Sequence, residues 1–385
     1  MRMLFVLSAL LFFLLSIASA QSQTASTDSS ATADSLLMLE LQAQMPAQTI
    51  PAQNAGTVRS ALSTNPDISA IGDFRTSYSD AGRRNIETYF NALEVQMSSV
   101  VDPYASANFL FSFGKDSLNG DYSAGLELAT LTSMTLPYSL QVTLGKFKPH
   151  FTKVNILHPH AFSFIDFPTM IKNYFGDEGL FMEGMSASVL VPNPWEFFQE
   201  LYVEIGRSVS TPSLDNGSSN KLLYAAHLNN FFELSDNSTL SVGFSGLTGA
   251  NVLDLDTRMA GIDLTYKWKP VQFNTYRSFT WQTEALVSLA DTSAGSDVQS
   301  YGAYTLFEYQ IEKRTFLGFR FDYSGLPMIE KSDERTSSLL LRFQPTEFQV
   351  LALELQNVNR NYAPGYYQIV FRAIFGIGTH AAHAY

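Results

Sequence analysis

The chain reads as an all-β protein, a transmembrane antiparallel β-barrel of about sixteen strands, preceded by a signal peptide and a flexible, partly helical periplasmic extension. Three observations carry this expectation. From Pro66 onward, segments of about ten residues alternate in polarity and are punctuated by turn residues. Charged residues make up only 16% of the 385, against roughly 25% in ordinary soluble domains, while aromatics reach 13%. The connections alternate between tight and long, as the two ends of an outer-membrane barrel require.

Residues 1–20, "MRMLFVLSALLFFLLSIASA", combine one early cation, an apolar run and a small-x-small ending. That pattern is a secretory signal peptide, with cleavage expected after Ala20. Residues 21–65 are Ser-, Thr-, Ala-, Gln- and Pro-rich and read as a periplasmic linker, with a short helix at 35–45 carrying Leu37 and Leu41 on one stripe. The barrel is expected over 66–385. The chain has no cysteine, which excludes disulfides, thiolate nucleophiles and zinc–thiolate centres. Acids outnumber bases 36 to 24, so a nucleic-acid partner is excluded.

Strands are expected near 67–79, 87–100, 104–115, 120–133, 138–147, 178–191, 196–208, 220–233, 238–248, 257–269, 279–290, 300–311, 315–324, 335–344, 347–358 and 365–376. In "YASANFLFSFG", Phe109, Phe111 and Phe113 share one face, opposite Asn108 and Ser112. In "AGIDLTYKWK", Ile262, Leu264 and Tyr266 oppose Asp263, Thr265 and Lys267. A soluble sandwich would need neither aromatics at segment ends nor so many segments of equal length.

The even-numbered connections, such as "DPY", "LSDN" and "EKR", are tight and suit the periplasmic end. The odd-numbered ones, including "SVSTPSLDNGSS", "GANVLDLD" and "SGLPMIEKSDE", are expected as longer outer loops. The third odd connection, 148–177, is the longest. It is apolar and aromatic (Phe151, Ile156, Phe162, Phe164, Ile165, Phe167), a poor composition for a solvated loop. It is therefore expected to fold into the barrel.

Alternation also predicts what lines the pore. Glu94, Glu127, Glu204, Asp263, Glu284, Glu308 and Glu354 should face inward, with Arg320, Arg342 and Arg372 among the last strands. Charges on the lipid face cost about 2–4 kcal/mol for a cation at the midplane, so one parity must hold them. No phosphate loop is found, and "VGFSG" (242–246) does not make a nucleophile elbow, so no catalytic residues and no enzyme are expected.

Two histidine pairs remain. His158 and His160 flank Pro159 and fall on one side of an extended segment, with Asp166 downstream; His380 and His383 stand in "THAAHAY". Both spacings suit a chelate, and four imidazoles would suit zinc or copper. The structural alternative is a set of hydrogen-bonded histidines, with Asp166 fixing one of them or capping a turn.

The blocks "NPDISAIGDF" (65–74), "GKFKPHFTKVNILHPHAFSFIDFP" (145–168), "YFGDEGLFMEGMSASVLVP" (174–192) and the final "THAAHAY" resemble a family of porin-like outer-membrane proteins, often described as zinc-regulated or hypothetical. The matching positions are His158, Pro159, His160, Phe164, Asp166, Pro168, His380 and His383. The resemblance implies a barrel, a periplasmic N-terminal extension and location in the outer membrane of a Gram-negative-type bacterium. The family commonly ends in Phe; here Tyr385 is the aromatic terminus offered to the barrel-assembly machinery.

The leading expectation is a porin-like channel for passive diffusion of ions or small polar solutes, with 148–177 as its constriction. A metal-binding or metal-uptake protein using His158, His160, His380 and His383 is the second. An adhesive or structural barrel is the third. Expected partners are outer-membrane lipid, small solutes and two further copies in a homotrimer. The only cofactor in view is zinc.

Overall fold

A computed structural model describes residues 66–81, 86–115, 121–195, 197–209, 211–215, 220–271, 276–293, 295 and 297–378. The expected signal peptide 1–20, the linker 21–65 with its helix 35–45, and His380, His383 and Tyr385 lie outside the described residues.

Sixteen antiparallel strands close into one barrel. They are β1 (Asp67–Ser79), β2 (Ile86–Asp102), β3 (Ala105–Lys115), β4 (Tyr122–Ser133), β5 (Gln141–Phe147), β6 (Phe181–Leu190), β7 (Phe198–Val209) and β8 (Leu223–Ser235). The second half comprises β9 (Ser238–Ala250), β10 (Asp256–Trp268), β11 (Ser278–Asp291), β12 (Asp297–Glu312), β13 (Thr315–Leu326), β14 (Ile329–Thr346), β15 (Gln349–Arg360) and β16 (Tyr366–Gly378). Each strand pairs with its chain neighbour, and β1 closes on β16, with Arg75 opposite Arg372. Closure leaves no sheet edge in lipid, where an unpaired backbone group would be costly.

The lipid face follows from alternation. Phe109, Phe244, Ile262, Phe319, Leu339 and Leu355 are exposed along the wall. Tyr104, Tyr138, Trp195 and Phe348 are exposed at the tight-turn end, and Tyr122, Tyr224, Tyr301 and Tyr367 near the other. An apolar band between two aromatic girdles matches a bilayer and its interfaces.

The strands differ from expectation mainly at β14, which starts at Ile329 rather than 335. The expected outer loop "SGLPMIEKSDE" is a tight turn: Leu326 pairs with Ile329 across Pro327 and Met328. Pro327 suits the second position of a β-turn, and Met328 supplies the left-handed third position, with φ 60°.

Two irregularities re-aim side chains. Between β3 and β4 the register passes from Leu110–Leu128 to Phe111–Leu126, leaving Glu127 as the extra residue of a bulge. Between β1 and β2 it passes from Asp73–Ala92 to Phe74–Phe90, leaving Asn91, which donates to Asp73 (3.0 Å). The β4–β5 ladder is short, joining only Ala129–Thr132 to Thr143–Lys146. There the chain leaves the wall, and the segment that follows forms the core.

Candidate functional site: the filled lumen

Segment 148–180 starts where β5 ends and is stapled at both ends by one side chain. Asn155, fully buried, donates to the carbonyls of Pro149 (2.9 Å) and Leu180 (3.1 Å) and accepts from the Leu180 amide (2.7 Å). Lys148 Nζ donates to the carbonyls of Leu157 (3.1 Å) and Glu178 (2.6 Å). Inside the segment, Pro168 opens a short helix, α1 (Thr169–Phe175), and Gly176 ends it with φ 89°.

The segment's contacts run around the inner wall. The His150 amide and Nδ1 meet Glu204 on β7 (2.9 and 2.8 Å). The Val154 amide donates to Glu284 on β11 (3.0 Å), and the Ile165 amide to Glu354 on β15 (2.7 Å). Arg320 on β13 donates to the Asp166 carbonyl (2.7 Å), and Arg372 on β16 to the Pro159 carbonyl (3.1 Å). Tyr174 donates to Ser300 on β12 (2.7 Å), and Thr169 to Thr336 on β14 (3.1 Å). One segment can reach seven strands of a closed cylinder only from inside it.

Packing agrees. Phe151, Phe164, Ile165, Met170 and Tyr174 are essentially fully buried, in one cluster with the inward residues Leu286, Leu306, Leu340, Ala352 and Val370. The inserted segment rests on glycine: a Cβ at Gly302 would come within 2.7 Å of Met170 in α1, and one at Gly318 within 3.0 Å of the Phe164 ring ahead of it. A cavity of about 150 Å³ remains against β14–β16, lined by His160, Phe162, Arg342, Phe348 and Arg372 among others.

The ten acids and arginines expected to line the pore all point inward, but few stand free in a channel. Glu308 is paired with Arg342 (2.7 Å), and Arg320 with Asp322 (2.8 Å) and Glu354 (3.9 Å). Arg372 pairs with Asp73 (3.1 Å). Glu204 and Glu284 accept from the loop, as described above, Asp263 sits 4.0 Å from His227, and Glu94 and Glu127 face the H-P-H histidines.

The histidines and Asp166 part company. His158 and His160 lie on one side, as their spacing requires, with rings stacked at 5.6 Å. They turn toward Glu94 and Glu127. Asp166, expected to fix a histidine, instead bonds Arg75 (3.2 Å) and approaches Lys172 (3.9 Å). The reason is charge: Arg75 and Lys172 bring full cations to Asp166, while the histidines face Glu94 and Glu127. Burial alone would raise the Asp166 pKa, but Lys172, Arg75, Arg320 and Arg372 hold it at about 2. Glu178 is the opposite case, pushed up to about 7 by burial and by the nearby Glu127.

Sequence reasoning missed Asp73, Arg75, Asn155 and Lys172. Asp73 and Arg75 had a readable signal, since "DFR" sets both on the inward parity of β1. Ser245 was set aside, yet its hydroxyl lies 2.8 Å from His227 Nδ1. Asp263 approaches the same nitrogen, whereas a Ser-His-Asp relay needs opposite ring nitrogens.

Closed topology, an apolar belt with aromatic girdles and an inward charged parity define an outer-membrane barrel of the porin fold. No family model matches the chain. An uncharacterized protein of Aquifex aeolicus is 24% identical over 336 residues, covering 77% of this chain and 69% of that one. Among solved structures, the anion-selective porin from Comamonas acidovorans is similar, with a TM-score of 0.56 and 12% identity over 81% of this chain and 99% of that one. The outer membrane channel DcaP of Acinetobacter baumannii gives 0.56 and 11% over 82% and 98%, and Salmonella typhi OmpF 0.54 and 8% over 81% and 97%. At these identities the likeness is one of fold.

Proposed function

We propose that this protein is a diffusion channel for ions and small polar solutes, with 148–180 as its constriction. The observation that carries the proposal is the hydrogen bonding of one inserted segment to opposite walls, which narrows a sixteen-stranded lumen. The path left for solute runs beside that segment, against inward charges that select by sign. The similar proteins named as porins and channels support the same reading, as does a trimeric form of Vibrio cholerae OmpT for assembly as a homotrimer.

A second reading, a structural or adhesive barrel, is favoured by how completely the loop packs. Planar-bilayer recording separates the two. The channel reading expects discrete conductance steps that grow several-fold when 150–175 is replaced by a short Gly/Ser linker. A folded barrel that inserts and conducts in neither form overturns it.

A further inference from the structure

Glu94, Glu127 and His158 each offer a ligand atom, and the three atoms lie within 4.8 Å of one another. Each comes from a different element: Glu94 from β2, Glu127 from the β4 bulge and His158 from the inserted segment. His160 approaches the same carboxylate, with Nδ1 at 3.0 Å from Glu94 Oε2. His158 Nδ1 is 3.5 Å from Glu127 Oε2 and 3.8 Å from Glu94 Oε2. Donors around tetrahedral zinc, each about 2.0–2.2 Å from the ion, stand about 3.4 Å from one another. The separations here bracket that edge length.

The pairing of these atoms as hydrogen bonds is poor. The Glu94 side chain is 9% exposed, and its Oε2 makes no hydrogen bond of good geometry among the described residues; neither does Glu127 Oε2 or His158 Nδ1. Ligand atoms gathered within 4.8 Å of one another without hydrogen bonds of good geometry between them are what a site for one ion shows. Lys148 supplies one positive charge nearby, but its Nζ donates to two backbone carbonyls, so two carboxylates face a single ammonium. Two carboxylates beside imidazoles in a buried corner leave a negative charge that costs several kcal/mol per ion to desolvate unless it is matched.

We infer that Glu94, Glu127 and His158, with His160 beside them, form a binding site for a divalent first-row cation of the zinc type. Imidazole among the donors disfavours calcium and magnesium, and carboxylates without thiolate disfavour Cu(I). An ion there ties the Pro159 corner of the inserted segment to β2 and β4. The site needs neither His380 nor His383.

The test uses the full mature protein folded in detergent, freed of metal by chelation and titrated with zinc chloride by calorimetry. Cobalt(II) serves as the spectroscopic probe. One zinc per barrel is expected, with strong cobalt d–d absorption of low coordination number. Glu94→Gln combined with Glu127→Gln should weaken zinc binding by at least about 10- to 100-fold. His158→Ala should do so alone, and His380→Ala with His383→Ala should leave binding unchanged. Circular dichroism and unheated gel mobility confirm that each variant is folded. No stoichiometric binding by the wild type, or binding unaffected by the carboxylate pair and by His158→Ala, overturns the site and leaves histidine–carboxylate pairing as its explanation. Conductance recorded in chelator keeps the outcomes apart, since a metal-free pore that still conducts leaves the channel reading intact.

Discussion

At the scale of single residues, Asp166 is the pivot of the inserted segment. Its carboxylate takes Arg75 and Lys172, and its carbonyl takes Arg320. A charge-assisted hydrogen bond contributes about 1.5–3 kcal/mol when buried, and Asp166 is a quarter exposed, so the figure is discounted. Asp166→Asn is expected to cost about 1–2 kcal/mol, with faster amide exchange confined to 160–175. The folded pKa, about 2, lies below the ordinary aspartate value of 3.8. The contribution is therefore complete above 3.8 and lost as pH falls toward 2. Thermal melts through that window should show a stability loss in the wild type that is smaller in the Asn variant. Equal acid sensitivity in both would contradict the role given to Asp166.

Helix α1 and the bulge of β4 show how elements position the site and which of them the sequence disclosed. The strands were legible because a lipid face and a lumen face impose strict alternation over ten or more residues, as in β10, where Asp263 is buried and Ile262 exposed. Helix α1 escaped notice because seven residues hold too little periodicity, although Pro168 and Gly176 bracket it. The Asp166–Arg75 bond spans 91 residues, and no local pattern encodes such a partnership. Glu127 meets His158 through a bulge, a register event that alternation alone does not reveal. Packing of α1 gives a direct test. Gly302→Leu would drive a side chain into Met170 and lift the helix from β12, at an overpacking cost of about 1–3 kcal/mol. The expected outcome is a folded barrel with larger, noisier single-channel currents, whereas Ala at the lipid-facing Ile262 should leave current amplitude unchanged.

For the whole molecule, charge is distributed unevenly around the lumen. The arc from β12 through β16 to β1 is paired internally: Glu308 with Arg342, Asp322 and Glu354 with Arg320, Asp73 with Arg75 and Arg372. The remaining arc carries Glu94, Glu127, Glu204, Asp263 and Glu284, faced by histidines and by Lys148 and Lys153. On this arc carboxylates outnumber ammoniums, so the unmatched sign is negative. A pore edged by that arc should prefer cations. The shared fold with an anion-selective porin does not argue otherwise, because at 12% identity the lumen side chains are not shared. Reversal potentials across a KCl gradient should carry the sign of cation preference at low salt. The preference should fade toward 1 M, where screening acts within about 3 Å. Glu204→Gln with Glu284→Gln should reduce it while leaving both loop amides a neutral acceptor. An anion-preferring reversal potential in the wild type would show that the paired arginine arc, and not the acidic one, borders the path.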